Sequence, residues 1–325
     1  MENLLAAWRE FIRGKRKKQD VQEFQYKLMD NILALHRDLK YGHGVSIFRY
    51  KHGGYKHFRI SDPKPRDIHK ATVRDRLLHH ALYRKLYHFF DRTFIADSYS
   101  CRKEKGTHKA MNRFRQFAYQ VSRNHTRTYW VLKCDIRKFF ASIDHRILND
   151  IVSRYISDKR ILALIAEVVG SFQTHEASPR GLPLGNLTSQ LLVNVYMNEF
   201  DQFVKHRLKA KYYVRYADDF VFLSPSRPGL DAMLPDVEHF LGLRLNLALH
   251  PDKVSIATLA SGVDFLGWVH FSDHRVLRTA TRRRMLRRLS ETKKETVIDS
   301  YLGLLSHGNA WRLKQQINVD RGRRA

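Results

Sequence analysis

The chain has 325 residues, 43% of them hydrophobic, which is enough to bury a sizeable core in one large domain or two to three subdomains and excludes a disordered tail. Its 59 Lys and Arg against 32 Asp and Glu give a net charge of +27, so a polyanion is the expected partner, either a phosphate backbone or an anionic membrane surface. No apolar run is long enough to span a bilayer, and the opening MENLLAAWREFIRGKRKK lacks the basic-then-apolar order of a secretory signal, so cytoplasmic residence is the expectation. Phe24, Leu28, Ile32 and Leu35 step along one face and predict a helical extension over residues 2–40. Gly42, Gly44, Gly53 and Gly54 then punctuate a stretch in which YKHFRIS and RDIHKA flank the turn-like DPKP, a hairpin pattern. Helical periodicity returns from Thr72 to Phe90, and TYWVLKCDI reads as a buried strand ending at the carboxylate of Asp135. A helix is expected over residues 145–170, and GLPLGNLTSQ is a loop leading into the apolar helix LLVNVYMNEFDQFV. YVRY and FVFL are strands, residues 229–243 a helix, and LNLALHPDKVSI strand-like. From His274 onward the chain is densely basic, with TRRRMLRRL and LKQQINVDRGRR in helical segments. Cys101 and Cys134 sit in no zinc-like spacing, and the scattered histidines, His79 and His80 included, carry no assigned chemistry.

The stretch YVRYADDFVFL sets Asp218 and Asp219 side by side in a run that otherwise belongs to a core. Burying a charge is costly unless it is paired or binds a metal, and two ionised neighbours repel. One reading is a turn pair between two strands, because Asp tolerates turn geometry. The other is a cation site: Asp135 ends another strand, and a sheet can bring the three acids together. Carboxylates converging at a sheet edge suit Mg²⁺, which prefers hard oxygen ligands. Two such ions about 3.5–4 Å apart can activate an attacking hydroxyl and stabilise a leaving oxygen.

KCDIRKFFASID, GLPLGNLTSQ, YADD, LHPDK and DFLGW occur in the order of the reverse transcriptase motifs and cover most of the chain between Arg59 and Trp268. Upstream, ISDPKPRDI with VRDRLLHHAL, and SYSCRKEKGTHKA, resemble the first two blocks of that superfamily. Within it the chain most resembles the reverse transcriptases of bacterial and phage diversity-generating retroelements, through GNLTSQ and CRKEKGTH. The resemblance implies an α+β right-hand polymerase fold with fingers, a palm of antiparallel sheet and helices, and a helical thumb. It places an N-terminal helical extension at 1–48, fingers and palm at 49–272, and the thumb at 273–325. It implies an RNA-directed DNA polymerase in which Asp135, Asp218 and Asp219 are catalytic. Asp135 and Asp218 would hold two Mg²⁺ ions with the Ile136 carbonyl, and Asp219 would support the site. The primer 3′-hydroxyl then attacks the α-phosphate of a deoxynucleotide, and pyrophosphate leaves.

The resemblance also assigns the nucleotide site. Lys64 and Arg66 on the finger hairpin correspond to the groups that grip the triphosphate, Arg with bidentate geometry. Phe140 stands where reverse transcriptases place an aromatic gate against the ribose 2′-hydroxyl; core packing is the alternative, since one of Phe139 and Phe140 must point inward. Gly185 and Gln190 belong to the nucleotide-facing loop, and Lys253 matches a lysine near the leaving pyrophosphate. Arg282, Arg283, Arg284, Arg287 and Arg288 would grip the template–primer backbone, contacts that position without reading sequence. For any of these cations a solvated surface charge is the competing reading.

Leu184 departs from the wider pattern. Many reverse transcriptases have Gln here, whose amide helps fix the nascent pair; an aliphatic side chain offers neither donor nor acceptor. In the retroelement family an aliphatic group here accompanies error-prone copying opposite adenine. The implied partners are a template-repeat RNA, the cDNA/RNA duplex, deoxynucleoside triphosphates and a small, basic, multimeric accessory protein, with no membrane. Two rival expectations stand. One is another bacterial reverse transcriptase, from a retron, a group II intron or a phage-defence system; no Val-Thr-Gly triplet marks a retron enzyme, and the stretch after the thumb leaves little room for an intron maturase. The other is a catalytically inactive RNA-binding scaffold, which would have no need of three intact acids.

Overall fold

Apolar spacing in the first forty residues produces three helices, α1 (Glu2–Phe11), α2 (Gln19–Tyr26) and α3 (Leu28–Lys40). The structure is a computed structural model that describes residues 1–40, 48–61, 65–175, 178–292 and 294–322. The strands β1 (Tyr55–Ile60) and β2 (Arg66–Ala71) form an antiparallel hairpin, with Tyr55 opposite Ala71 and Ile60 opposite Arg66. Asp62, Pro63 and Lys64 of the DPKP turn, like Gly42 and Gly44, lie outside the described residues. Then follow α4 (Val73–Asp91), α5 (Thr107–Val121), β3 (Trp130–Asp135), α6 (Phe139–Ser142), α7 (His145–Tyr155), α8 (Lys159–Gly170) and α9 (Leu187–His206). The remaining elements are β4 (Tyr213–Tyr216), β5 (Asp219–Ser224), α10 (Arg227–Leu245), β6 (Ser255–Thr258), β7 (Val263–Phe265), β8 (Trp268–His270), β9 (Arg275–Leu277), α11 (Thr279–Glu291), α12 (Glu295–Leu305) and α13 (Trp311–Gly322).

Two expectations need correction. The single helix over 145–170 is two, because the Asp158 side chain accepts from the N–H groups of Arg160 and Ile161 and caps a new helix. The strand-like LNLALHPDKVSI is mostly not strand: Pro251 has no N–H for a ladder, so Pro251–Lys253 forms a 3-10 turn and β6 begins only at Ser255.

The chain divides into two compact units. The first comprises Met1–Ala96, Ile136–Arg207 and Glu238–Ala248; the second comprises Asp97–Asp135, Leu208–Val237 and Leu249–Ala325. In the first, Leu4, Ala7, Trp8 and Phe11 of α1 share a core with Leu77, Leu78, Ala81 and Leu82 of α4. A buried knot ties the approach to β1 onto α4: Asp75 accepts from Tyr50 Oη (2.7 Å), Gly53 N (3.1 Å) and Thr72 Oγ1 (2.6 Å). A buried carboxylate is tolerable only with such donors around it.

In the second unit the sheet order is β4-β5-β3-β6, every pair antiparallel. Val131, Val214, Val221 and Leu223 form one core cluster with Phe114, Phe117, Ala118 and Val121 of α5. A second sheet, β7-β8-β9, contributes Trp268 and Leu277 to a cluster with Met285, Leu289, Ile298, Leu305 and Ile317 of α11 to α13. Among the described residues no helix is long and apolar enough to cross a membrane.

Trp268 is 2% exposed, and a Cβ built on Gly308 would meet its ring at 2.0 Å. Overpacking of this kind costs about 1–3 kcal/mol. Gly308→Ala is therefore expected to lower the thermal midpoint by several degrees and to increase proteolysis of the α11–α13 segment; an unchanged melt would show that the loop simply shifts aside.

Candidate catalytic site

The acids converge through strand register. Asp135 is the last residue of β3 and Asp219 the first of β5, and the two are direct partners in the antiparallel ladder. Opposed residues in such a ladder project from the same face. Tyr216 ends β4, so the β4–β5 hairpin closes through a two-residue turn, Ala217-Asp218, that puts Asp218 next to this pair. Asp218 occupies a turn, as one reading of the acidic pair expects, and that turn sits beside the Asp135–Asp219 pair.

The site is short of positive charge. Asp219 is half-buried, its Oδ1 is shielded from solvent without a hydrogen-bond partner, and its pKa is pushed up to about 7. Burial is the main cause; the Lys133 ammonium opposes it, while the carboxylates of Asp135, Asp218 and Asp264 add to it. Asp135 is paired with Lys253, whose Nζ lies 2.8 Å from Oδ1. The turn Pro251–Lys253 delivers that lysine, and it is held to β3 by His250 N donating to the Asp135 carbonyl at 2.7 Å. Among the described residues no three His, Cys, Asp or Glu side chains form a ready-made metal-binding group. The donors nevertheless suit a hard cation: oxygen ligands, one of them orphaned, and an ammonium already seated on Asp135 in the role a cation would fill.

The other expected residues fall into separate groups. Ile136, 1% exposed, is buried at the start of the next segment. Phe139 is buried and Phe140 half-buried, so Phe139 is the inward-pointing member of the pair; the Phe140 carbonyl accepts from Leu182 N at 2.8 Å. Arg66 is exposed at the head of β2. Leu184 and Gly185 occupy a turn fastened to that same strand: His69 N donates to the Leu184 carbonyl (3.4 Å), and Asn186 Nδ2 donates to the His69 carbonyl (3.1 Å). Gly185 has φ +100°, and a Cβ there would lie 3.2 Å from Ile68 Cγ2, so both backbone and space call for glycine. Gln190 lies in the first turn of α9, half-buried. On α11 Thr281, Met285 and Leu289 face the core, while Arg282, Arg283, Arg287 and Arg288 are exposed and Arg284 is half-buried. Lys64 lies outside the described residues.

Motif reading passed over two cations of this site. Lys133 lies two residues before Asp135, on the same face of β3, and lowers the Asp219 pKa. Arg215 is fully buried beneath the Ala217-Asp218 turn. In a chain with 59 Lys and Arg neither stands out by composition; only strand alternation, which puts Lys133 on the face of Asp135, offers a signal.

The family model described as reverse transcriptase (RNA-dependent DNA polymerase) matches residues 59–270. Protein YkfC of Escherichia coli is 28% identical over 275 residues, covering 72% of this chain and 69% of YkfC. The group II intron-encoded protein LtrA of Lactococcus lactis subsp. cremoris is 24% identical over 301 residues, covering 72% of this chain and 48% of LtrA. Among solved structures, telomerase from Candida albicans in complex with a fragment of telomeric RNA aligns with a TM-score of 0.55 at 10% identity, over 85% of this chain and 56% of that one. Apo telomerase from Candida tropicalis truncated from its C-terminal domain aligns at 0.53 and 11% identity, over 77% and 60%. The chain thus spans about half of LtrA and well under two thirds of either telomerase chain.

A carboxyl group whose pKa rises from 3.8 in the unfolded chain to about 7 makes the folded state bind the extra proton between those values. Stability then falls as pH rises through that window and levels off above it. In chelator-treated protein, Asp219→Asn is expected to raise the thermal midpoint by several degrees at pH 8.5 and to change it little at pH 4. An equal effect at both pH values would show that Asp219 is not held protonated.

Proposed function

The chain belongs to the reverse transcriptase family, whose right-hand polymerase fold its α+β architecture shares, and on that premise we propose that it is the RNA-directed DNA polymerase of a diversity-generating retroelement. In this reading it copies a template-repeat RNA into adenine-mutagenised cDNA for mutagenic retrohoming. The observation that carries the polymerase part is the register of Asp135 opposite Asp219 with Asp218 in the adjoining turn, three acids gathered beside Lys133 and Lys253.

Asp135 and Asp218, with the Ile136 carbonyl, would hold the divalent cations, and Asp219 would support them. Bound there, two Mg²⁺ ions stabilise the attacking and leaving oxygens of an in-line phosphoryl transfer. The chain's own residues supply the rest. Lys253 brings positive charge to the side of the departing pyrophosphate, and exposed Arg66 grips the triphosphate in bidentate fashion, with Lys64 as its neighbour in sequence. Phe140, less buried than Phe139, screens out the ribose 2′-hydroxyl, and Gly185 and Gln190 border the nucleotide. The exposed arginines of α11 hold the template–primer backbone, a contact made by charge and geometry alone.

Leu184 supports the diversity-generating part. Its loop is tied to β2 through the Leu184 carbonyl and the Asn186 side-chain amide, and the aliphatic side chain has no polar group to offer a nascent base pair. Losing one positioning contact removes about 1–3 kcal/mol of discrimination, which turns rare errors into common ones. A basic multimeric accessory protein completes the proposed assembly. The similarity to LtrA favours a second reading, a group II intron-like enzyme that copies faithfully.

Asp218→Asn is expected to reduce primer extension on an RNA template by at least ~1000-fold while RNA affinity and melting temperature stay within error, because it removes an anionic ligand but keeps the shape. Normal extension would remove Asp218 from the catalytic role. The diversity-generating reading is tested by sequencing cDNA made on a template containing all four bases: errors should concentrate opposite adenine, and Leu184→Gln should reduce that excess roughly ten-fold. Uniform errors in the wild type would favour the intron-like reading, and an unaltered bias in the variant would move the cause away from Leu184.

A further inference from the structure

The turn that presents Asp218 has the wrong residue for its shape. Ala217 sits at φ +56°, in the left-handed region where two-residue hairpins ordinarily carry Gly, Asn or Asp. A Cβ disfavours that conformation, so something outside the turn must hold it. The contacts point to one side chain. Arg215, two residues earlier on β4, is fully buried; its Nη1 donates to the Ala217 carbonyl at 3.0 Å and its Nη2 to Ser98 Oγ at 3.1 Å.

The guanidinium is itself rigidly mounted. Arg215 N donates to the Asp97 carbonyl, and the Arg215 carbonyl accepts from Tyr99 N, both at 3.0 Å, as a parallel bridge between Ser98 and Arg215. Ser98 is fully buried and Asp97 nearly so; the Asp97 carboxylate accepts from Arg113 Nε of α5 at 2.7 Å. A continuous series of buried polar contacts therefore runs from α5 through residues 97–99 and Arg215 to the carbonyl immediately before Asp218. Buried hydrogen-bonded groups of this kind fix geometry because each would be costly to leave unmatched.

We infer that Arg215, seated by Ser98, is a positioning residue that locks the Ala217-Asp218 turn in its left-handed form and so sets where the Asp218 carboxylate points. It touches neither substrate nor cation in this role; it acts through the turn. The inference rests on the polymerase reading for its functional meaning, but the lock itself is a property of the hairpin.

The test compares wild type with Arg215→Met, Arg215→Lys, Ser98→Ala and the double variant Arg215→Met/Ala217→Gly. It reads primer extension, Mn²⁺ binding by electron paramagnetic resonance, hydrogen exchange across residues 212–220, RNA affinity and melting temperature. Arg215→Met is expected to lower kcat about 100-fold with the deoxynucleotide KM nearly unchanged, and to weaken Mn²⁺ binding about ten-fold, the range typical of groups that orient metal ligands. Hydrogen exchange in the hairpin should quicken, Ser98→Ala should show a smaller shift of the same kind, and Lys should not substitute, having no second donor in the fork. Gly at 217 adopts the left-handed turn unaided, so the double variant should recover about ten-fold of the lost kcat.

A folded Arg215→Met protein with unchanged Mn²⁺ binding and kcat overturns the inference. So does a loss of kcat matched by equal losses of RNA affinity and thermal stability without recovery in the double variant, which would make Arg215 a core strut only. If Arg215→Met does not fold, Ser98→Ala decides by the same two readouts. A wild type that binds Mn²⁺ more tightly than the variants yet extends no primer would reject the polymerase reading and leave the lock standing.

Discussion

Like charges set face to face at the end of an antiparallel pair repel, and the second unit is arranged around containing that repulsion. Register makes Asp135 and Asp219 direct neighbours, and a one-residue slip would send every side chain of β5 to the opposite face. The aliphatic face of β5, Val221 and Leu223, is committed to the core with α5, and Phe220 and Phe222 are buried on the other face, so slipping would undo the packing on both. Hydrophobic burial thus enforces a pairing that electrostatics alone opposes. The response is local: Lys253 seated on Asp135, Lys133 on the same face, and a carboxyl group at Asp219 whose proton is retained to about pH 7.

The first unit solves a different problem, fixing a loop against a strand. The Leu184–Asn186 segment is tied to β2 through its own backbone and the Asn186 amide, and Gly185 fits only because it lacks a Cβ against Ile68. Two hydrogen bonds, both through His69, join β2 to the loop.

The excess of positive charge is similarly divided between structure and reach. On α11 the i, i+4, i+8 series Thr281, Met285 and Leu289 is spent on packing, and Arg282, Arg283, Arg287 and Arg288 on the remaining faces are exposed. Glu291 lies within about one turn of Arg287 and Arg288, at 4.0 and 3.9 Å, weak exposed pairs that give way easily to a phosphate.

The sequence by itself determined the elements and the family: spacing located most helices, the β-rich runs around Asp135 and Asp218 located the central strands, and five ordered motifs identified the polymerase chemistry. It located Leu184 as well, because a missing amide is visible as a residue type. It did not show the break at Asp158, since capping competes with continued helical periodicity and only the folded backbone decides which prevails. Nor did it show where the strand after Leu247 begins, because the lack of a donor at Pro251 matters only once a partner strand is present. Above all it could not single out Arg215 among 59 basic residues, and it named Lys253 by its motif without showing that it pairs with Asp135. Their importance comes from distance, a guanidinium 3.1 Å from the Ser98 hydroxyl and an ammonium 2.8 Å from the Asp135 carboxylate, and such distances between residues far apart in the chain are set by tertiary packing rather than by residue type.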